Sequence, residues 1–249
     1  MAETLISDKN PLLKEVRRLA SGGAPGEDRL VLAEGPHLLD EALRSKIEIH
    51  AVILSESAPE ISAGGSAGTT RVVRVLDSLF HKLASTESPQ GVLALVRLPE
   101  WTIEDLLAGT PLVVVLDGVQ DPGNAGAILR TAEAFGATGA VFLKGTVSLS
   151  NPKCLRASAG SAFRLPIVNE IPGGLALYAA DPRAKLSTAD ARLAAPCAIV
   201  IGGEGSGVRP ELAACATGVK IPTTTVESLN AAVAAGILLY EARRQRNSV

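Results

Sequence analysis

The sequence predicts an α/β protein in two parts, and three observations carry that reading. Apolar strand-like runs alternate with helically spaced segments along the whole chain. One run, residues 112–116 (LVVVL), is apolar without a break, the mark of a parallel strand buried on both faces. The chain has 249 residues, 47% hydrophobic and 20% charged, which suits a globular core in one large or two modest domains.

In the first half, Leu12, Leu13, Val16 and Leu19 repeat at helical spacing, and the Gly/Pro-rich stretch 21–26 ends that helix. Residues 29–33 (RLVLA) read as a strand. Pro36 opens a helix with Leu38, Leu39, Ala42 and Leu43 inward. Residues 50–54 (HAVIL) form a second strand, and 64–70 a loop. Residues 71–75 form a short strand, Asp77 caps a helix through Leu83, and 91–96 (GVLALV) close a small α/β unit. Residues 98–110, holding the single tryptophan, Trp101, look like a connection.

The second half alternates more regularly. After the strand at 112–116 comes the loop DGVQDPGN and a helix to about Phe135. Strands follow at 140–143, 165–168, 175–179 and 198–201, with a helix from about Pro152 between the first two. Pro210 opens a helix, Val219 and Ile221 mark a short strand, and Ser228, a natural N-cap, starts a long final helix. The pattern implies a mostly parallel sheet. The expected domains are 1–98 and 112–249, joined by a linker at 99–111.

Composition removes several function classes. Cys154, Cys197 and Cys215 are scattered with no CxxC, against a disulfide framework or structural zinc. The three histidines, His37, His50 and His81, form no HExxH and none lies in the second half, so no metal site is expected. Aromatics at 3% are too few for a surface built on base stacking. No run reaches the roughly 18 apolar residues of a membrane span, and the start lacks an apolar signal core, so a cytoplasmic protein without membrane contact is expected. The net charge of −2 hides an asymmetry. Residues 1–108 carry 11 basic against 16 acidic residues, a net of −5, and residues 109–249 carry 13 against 10, a net of +3. The C-terminal half is the better partner for an anion.

In open parallel sheets ligands bind beyond the carboxyl ends of strands, and three loops there stand out. The first, residues 117–130 (DGVQDPGNAGAILR), offers glycines for close backbone approach and the polar groups of Asn124 and Arg130. A helix cap and a surface arginine would explain the same residues. The second, 201–210 (IGGEGSGVRP), sets Glu204 among four glycines. It misses a dinucleotide fingerprint because Val208 stands where the third glycine belongs, and it lacks the Lys-Ser/Thr of a P-loop. Alone, Glu204 reads equally as a solvated loop acid. The third, 221–230 (IPTTTVESLN), leads into the last helix, whose free N–H groups can receive an anion. A plain cap at Ser228 is the simpler alternative.

Together, NAGAILRTAEAFGA, VIGGEGSGV and KIPTTTVESLNAAVAAGILLYEARRQR, in this order and spacing, resemble the three motifs of the SpoU/TrmH family, RNA ribose 2′-O-methyltransferases of the SPOUT class. KNPLLKEVRRL, LVLAEGPHLLDEAL and SPQGVLALV are similar to that family's L30e-like substrate-binding domain. The resemblance implies an N-terminal L30e-like α/β domain and a C-terminal SPOUT α/β domain threaded into a trefoil knot. The implied cofactor is S-adenosylmethionine, held by Gly202, Gly203, Gly207, Ile221 and Leu229. The implied catalytic residues are Arg130, Asn124, Glu204, Ser228 and Asn230. Arg130 would position phosphate and 2′-OH and assist deprotonation. With a pKa above about 12, charge stabilisation of the alkoxide is its better-founded role. Two departures stand out: Gly203 precedes Glu204 where the family has Asn, Ser or Ala, and the stretch 221–228 is one residue short. The implied partners are RNA, ribosomal over transfer RNA, and a second copy of the chain docked through the last helix. That helix carries two apolar stripes, Val233, Gly236, Ile237 and Tyr240 on one and Ala231, Ala234, Ala235, Leu238 and Ala242 on the other. One can face the sheet and the other needs cover, with Leu238 expected in the dimer interface, unless the helix is buried within a single chain. Arg243, Arg244 and Arg246 at that helix's end are available to RNA phosphates. An inactive RNA-binding or ribosome-assembly protein on the same scaffold, or a nucleotide-dependent oxidoreductase, remain alternatives.

Overall fold

The computed structural model describes residues 3–5, 9–26, 28–60 and 70–247. It divides into two units, Met1–Pro99 with Ser148–Arg164, and Glu100–Val147 with Leu165–Val249.

The first unit contains β1 (Glu3–Leu5), α1 (Pro11–Ala20), β2 (Leu30–Glu34), α2 (Pro36–Arg44), β3 (Ile49–Ser55), β4 (Arg71–Val75), α3 (Asp77–Leu83) and β5 (Val92–Arg97). The sheet order is β1-β4-β3-β5-β2, with β5 antiparallel to both neighbours. Asn10 caps α1 by accepting from the Leu12 N–H at 2.9 Å, and Pro11 fits the first turn. The helical spacing read in the sequence then turns Leu12, Leu13, Val16 and Leu19 into the core beside Leu32, Ile53 and Leu93. In α2, Leu38, Leu39 and Ala42 are buried as expected, while Leu43 is only half-buried and Glu41 takes a buried place. Asp77 is not the cap of α3. It is the first helical residue, and its carboxylate accepts from the Ser57 N–H at 3.1 Å and the Ser57 hydroxyl at 3.0 Å, which hold its pKa below the ordinary value. The expected loop at 64–70 falls, except for Thr70, outside the described residues.

The second unit opens with α4 (Ile103–Leu106), whose Leu106 is fully buried, so residues 100–111 belong to this unit. Then come β6 (Leu112–Asp117), α5 (Pro122–Ala134) and β7 (Gly139–Phe142). At Ser148 the chain passes into the first unit for α6 (Pro152–Ser158), returning at Leu165. Two ion pairs hold this excursion there: Arg156 to the buried Glu34 at 3.3 Å, and Arg164 to Glu41 at 2.6 Å. The second unit continues with β8 (Ile167–Val168), β9 (Ala176–Ala180), β10 (Leu186–Ser187), β11 (Cys197–Gly202), α7 (Pro210–Ala213), β12 (Thr217–Lys220) and α8 (Ala231–Arg246). Ile221 lies just past β12.

The second sheet has the order β10-β12-β9-β11-β6-β7-β8, every pair parallel. β6 is buried along its whole length, as an uninterrupted apolar run requires. All strands point one way, so the loops after β6, β9, β11 and β12 gather at one edge, where Gly118, Asp181, Gly203 and Ile221 begin them. Among the described residues no helix is long and apolar enough to cross a membrane.

Leu13 is fully buried in the core of the first unit. Leu13→Ala should cost about 2–5 kcal/mol, read as a lower urea midpoint at an unchanged slope.

Candidate active site

Two helix starts converge on one loop. At α5, the Asp121 carboxylate accepts from the Asn124 N–H at 2.7 Å, and Pro122 sets the first turn. Asn124 is therefore the third helical residue, its backbone satisfied and its side chain free to reach across. At α8 the cap is Asn230, not Ser228 as the sequence suggested. The Asn230 Oδ1 accepts from the N–H groups of Ala232 at 2.9 Å and Val233 at 3.3 Å. Ser228 lies two residues upstream in exposed, irregular chain. Both residues are good N-caps, and the helix begins where the alanine run begins.

The cap orients a chain of side chains. With its oxygen taken by the helix, Asn230 presents its amide nitrogen, which donates to Asn124 Oδ1 at 3.1 Å. Asn124 then has only its own NH2 left, and that group donates to Glu204 Oε1. Glu204 is an acceptor at the end of a relay that starts on the positive end of a 16-residue helix. The structure thus brings Asn124, Glu204 and Asn230 together. Arg130 is not among them. It sits six residues further along α5, roughly 240° round the helix, exposed and without a hydrogen bond or ion pair among the described residues.

The loop carrying Glu204 is a tight backbone hairpin. The Gly207 N–H donates to the Gly203 carbonyl at 2.9 Å, and the Gly203 N–H to the Asp117 carbonyl at 3.0 Å. A Cβ at Gly202 would lie 2.1 Å from the Gly207 carbonyl carbon, and one at Gly203 would lie 2.4 Å from the Gly118 oxygen. Real Cβ atoms do not come so close, so these are glycines for backbone approach. The side chain of Arg209 grips Asp117 just behind. That contact raises the guanidinium above its ordinary value, by hydrogen bonding first and Coulomb attraction after.

Beside this hairpin lies a cleft of about 580 Å³, lined by Gly202, Gly203, Gly207, Ile221, Ser228 and Leu229 among others. All five residues singled out as cofactor contacts line it. Sequence reasoning missed Asp181 and Arg183, which also line it. They follow β9, and the rule that ligands meet parallel strands at their carboxyl ends would have found them. Of the three arginines ending α8, two are committed elsewhere. Arg246 donates to the carbonyls of Thr110, Pro111, Leu193 and Ala195 at 2.7–3.0 Å, and Arg244 pairs with Glu241 at 2.7 Å. Arg243 is exposed and is left as the candidate for phosphates.

Residues 111–240 match the model of the SpoU rRNA Methylase family, and residues 10–94 that of the MRM3-like substrate binding domain. An uncharacterized tRNA/rRNA methyltransferase of Synechocystis is 35% identical over 98% of this chain and 94% of its own. The 23S rRNA (guanosine(2553)-2′-O)-methyltransferase of Bacillus subtilis is 30% identical over 95% of this chain and 98% of its own. Among solved structures, the AdoMet-bound rRNA methyltransferase of Sinorhizobium meliloti matches with a TM-score of 0.83 at 28% identity, covering 98% of both chains.

The relay separates two roles of Asn230. Asn230→Ala should lose the cap and about 0.5–2 kcal/mol of stability. Asn230→Asp should keep the cap, because the carboxylate still accepts from the helix, yet it removes the donor to Asn124. Chemical denaturation of the two variants checks this: equal losses would contradict the assignment of the cap.

Proposed function

Because the chain belongs to the SpoU rRNA methylase family, we propose that it is an S-adenosylmethionine-dependent RNA methyltransferase. Its target is a ribose 2′-OH in ribosomal RNA, and its setting the cytoplasm. The observation that carries this is the joining of Asn124, Glu204 and Asn230 beside a glycine-walled cleft. The second unit is the catalytic domain, with the trefoil knot that family membership leads one to expect. The first unit is the RNA-binding domain.

The cleft fits the cofactor. Its volume lies within the roughly 300–1,000 Å³ of small-molecule sites. Gly202 and Gly203 leave no room for side chains, so backbone N–H and C=O groups form that wall. Ile221 and Leu229 add apolar surface for a purine. When bound there, S-adenosylmethionine supplies a sulfonium-activated methyl group, a strong electrophile for a ribose oxygen.

The chain's own residues supply position and charge. Arg130, exposed and without a partner among the described residues, receives the phosphate beside the target ribose and stabilises negative charge on the 2′-oxygen as its proton passes to water. Asn124 and Asn230 hold the rim of the site rigid, since each amide is fixed at both ends. Glu204 locks the cofactor loop to α5 through Asn124. Ser228, exposed at the mouth, bonds substrate or cofactor. Alignment of oxygen, methyl and sulfur supplies several kcal/mol on its own.

The same reading includes a homodimer docked through α8. Ala231, Ala235, Leu238, Leu239 and Ala242 face the core, while Val233, Ile237 and Tyr240 are exposed on the other stripe. Leu238, expected in the dimer interface, is instead buried at 1% exposure and belongs to the stripe that faces the core. Tyr240 meets Phe135 edge-on at 5.6 Å, which extends the apolar patch onto the end of α5.

Three outcomes are expected. S-adenosylmethionine should raise the melting temperature by the binding term RT ln(1+[L]/Kd), and NAD should not; a shift with NAD alone would overturn the assignment. Arg130→Ala should lower methyl transfer by roughly 10²–10³-fold, as for the loss of a group that stabilises a developing oxyanion, with cofactor affinity unchanged. Ile237→Glu should shift sedimentation from dimer towards monomer, and an unsubstituted chain that sediments as a fully active monomer at micromolar concentration would rule the dimer out.

A further inference from the structure

One buried residue holds both ends of the Glu204 hairpin. Asp117, the last residue of β6, is 3% exposed. Its backbone carbonyl accepts from the Gly203 N–H at 3.0 Å, where the hairpin starts. Its carboxylate takes the far end: Oδ2 accepts from the Arg209 N–H at 2.8 Å, and Oδ1 accepts from Arg209 Nε at 2.6 Å and from its Nη2. Arg209 Nη2 also donates to the Lys144 carbonyl at 2.8 Å, just beyond β7. The guanidinium at the far end of the hairpin that follows β11 thus joins the end of β6 to the chain just beyond β7.

The sequence between these anchors has little else to fix it. Residues 203–208 read GEGSGV, and half of them are glycine. Glycine permits the close packing described above, but it also gives the free loop the greatest backbone freedom. Among the described residues, the Ser206 hydroxyl reaches only the neighbouring Gly207 carbonyl, at 3.4 Å, and Glu204 at the tip has a single side-chain partner, Asn124. A planar guanidinium on a buried carboxylate is the strongest restraint available at this end of the loop.

We propose that Arg209 is a positioning residue, which acts through Asp117 to hold the Glu204 hairpin in the shape that closes both the amide relay and the wall of the cofactor cleft. The inference about the cleft rests on the methyltransferase reading; the inference about the hairpin does not. Lysine in this place would keep a charge yet lose the forked contact and the bond to Lys144.

The test uses the full-length protein, Arg209→Lys and Arg209→Ala. Without any cofactor, amide hydrogen exchange at Gly203 and Gly207 should quicken by about tenfold or more in both variants, while the amides of β6 keep their protection. With S-adenosylmethionine, the variants should bind more weakly by a similar factor and turn over more slowly, with KM for RNA unchanged. Added guanidinium ion should recover part of the loss in Arg209→Ala. Unchanged exchange at Gly203 and Gly207 would overturn the proposal, and so would an equal loss of protection throughout the sheet, which marks a general structural role. If the unsubstituted protein fails to bind S-adenosylmethionine, the methyltransferase reading falls, and the exchange result still decides the role of Arg209.

Discussion

The capping bond at the start of α8 is the interaction on which the site depends. Once Asn230 Oδ1 accepts from the N–H groups of Ala232 and Val233, every later donor and acceptor is assigned. Asn230 must donate to Asn124, and Asn124 must donate to Glu204. A structural device present at most helix starts thus sets the orientation of two amides and ties three distant parts of the chain together. The parallel sheet makes this possible, because it brings the loops after β6, β11 and β12 to one edge.

Backbone supplies what side chains do not. The second unit contains no histidine, and its cleft is bounded largely by glycine and alkyl groups. Such a wall recognises shape and hydrogen-bonding edges with little conformational loss on binding. The cost is a hairpin rich in glycine, which must be restrained from outside by Asp117, Arg209 and Asn124. Charge available to a nucleic-acid ligand is correspondingly local: Arg130 has no partner among the described residues, whereas Arg246 is spent on four carbonyls of its own chain.

Much of this was legible in the sequence because the relevant signals are local. Helical spacing at Leu12, Leu13, Val16 and Leu19 and the unbroken run at 112–116 located core elements to within a residue or two. The three polar loops marked Asn124, Glu204 and Asn230, the same side chains that the amide relay joins. What was not legible depends on distant partners. Ser228 and Asn230 have equal standing as caps, and only packing of the alanine run decides between them. The two stripes of α8 were visible, but which one faces the sheet is a property of the sheet, and Leu238 proved to be core. Residues 148–164 were expected with the second half. Arg156 and Arg164 are drawn to Glu34 and Glu41, over a hundred residues earlier, which no local pattern reveals. Likewise, β10 spans two residues, too few for any periodicity.

The central claim is a methyl group placed on a ribose oxygen, and alkali tests it directly. Base hydrolysis cuts RNA by attack of the 2′-oxygen on the neighbouring phosphate, so a methylated 2′-oxygen leaves that link intact. Ribosomal RNA from cells lacking this protein would be incubated with the purified protein and methyl-labelled S-adenosylmethionine, then hydrolysed in alkali. The account predicts label in alkali-resistant dinucleotides, and its loss with Arg130→Ala. Label recovered in mononucleotides would mean methylation of a base, and would contradict it.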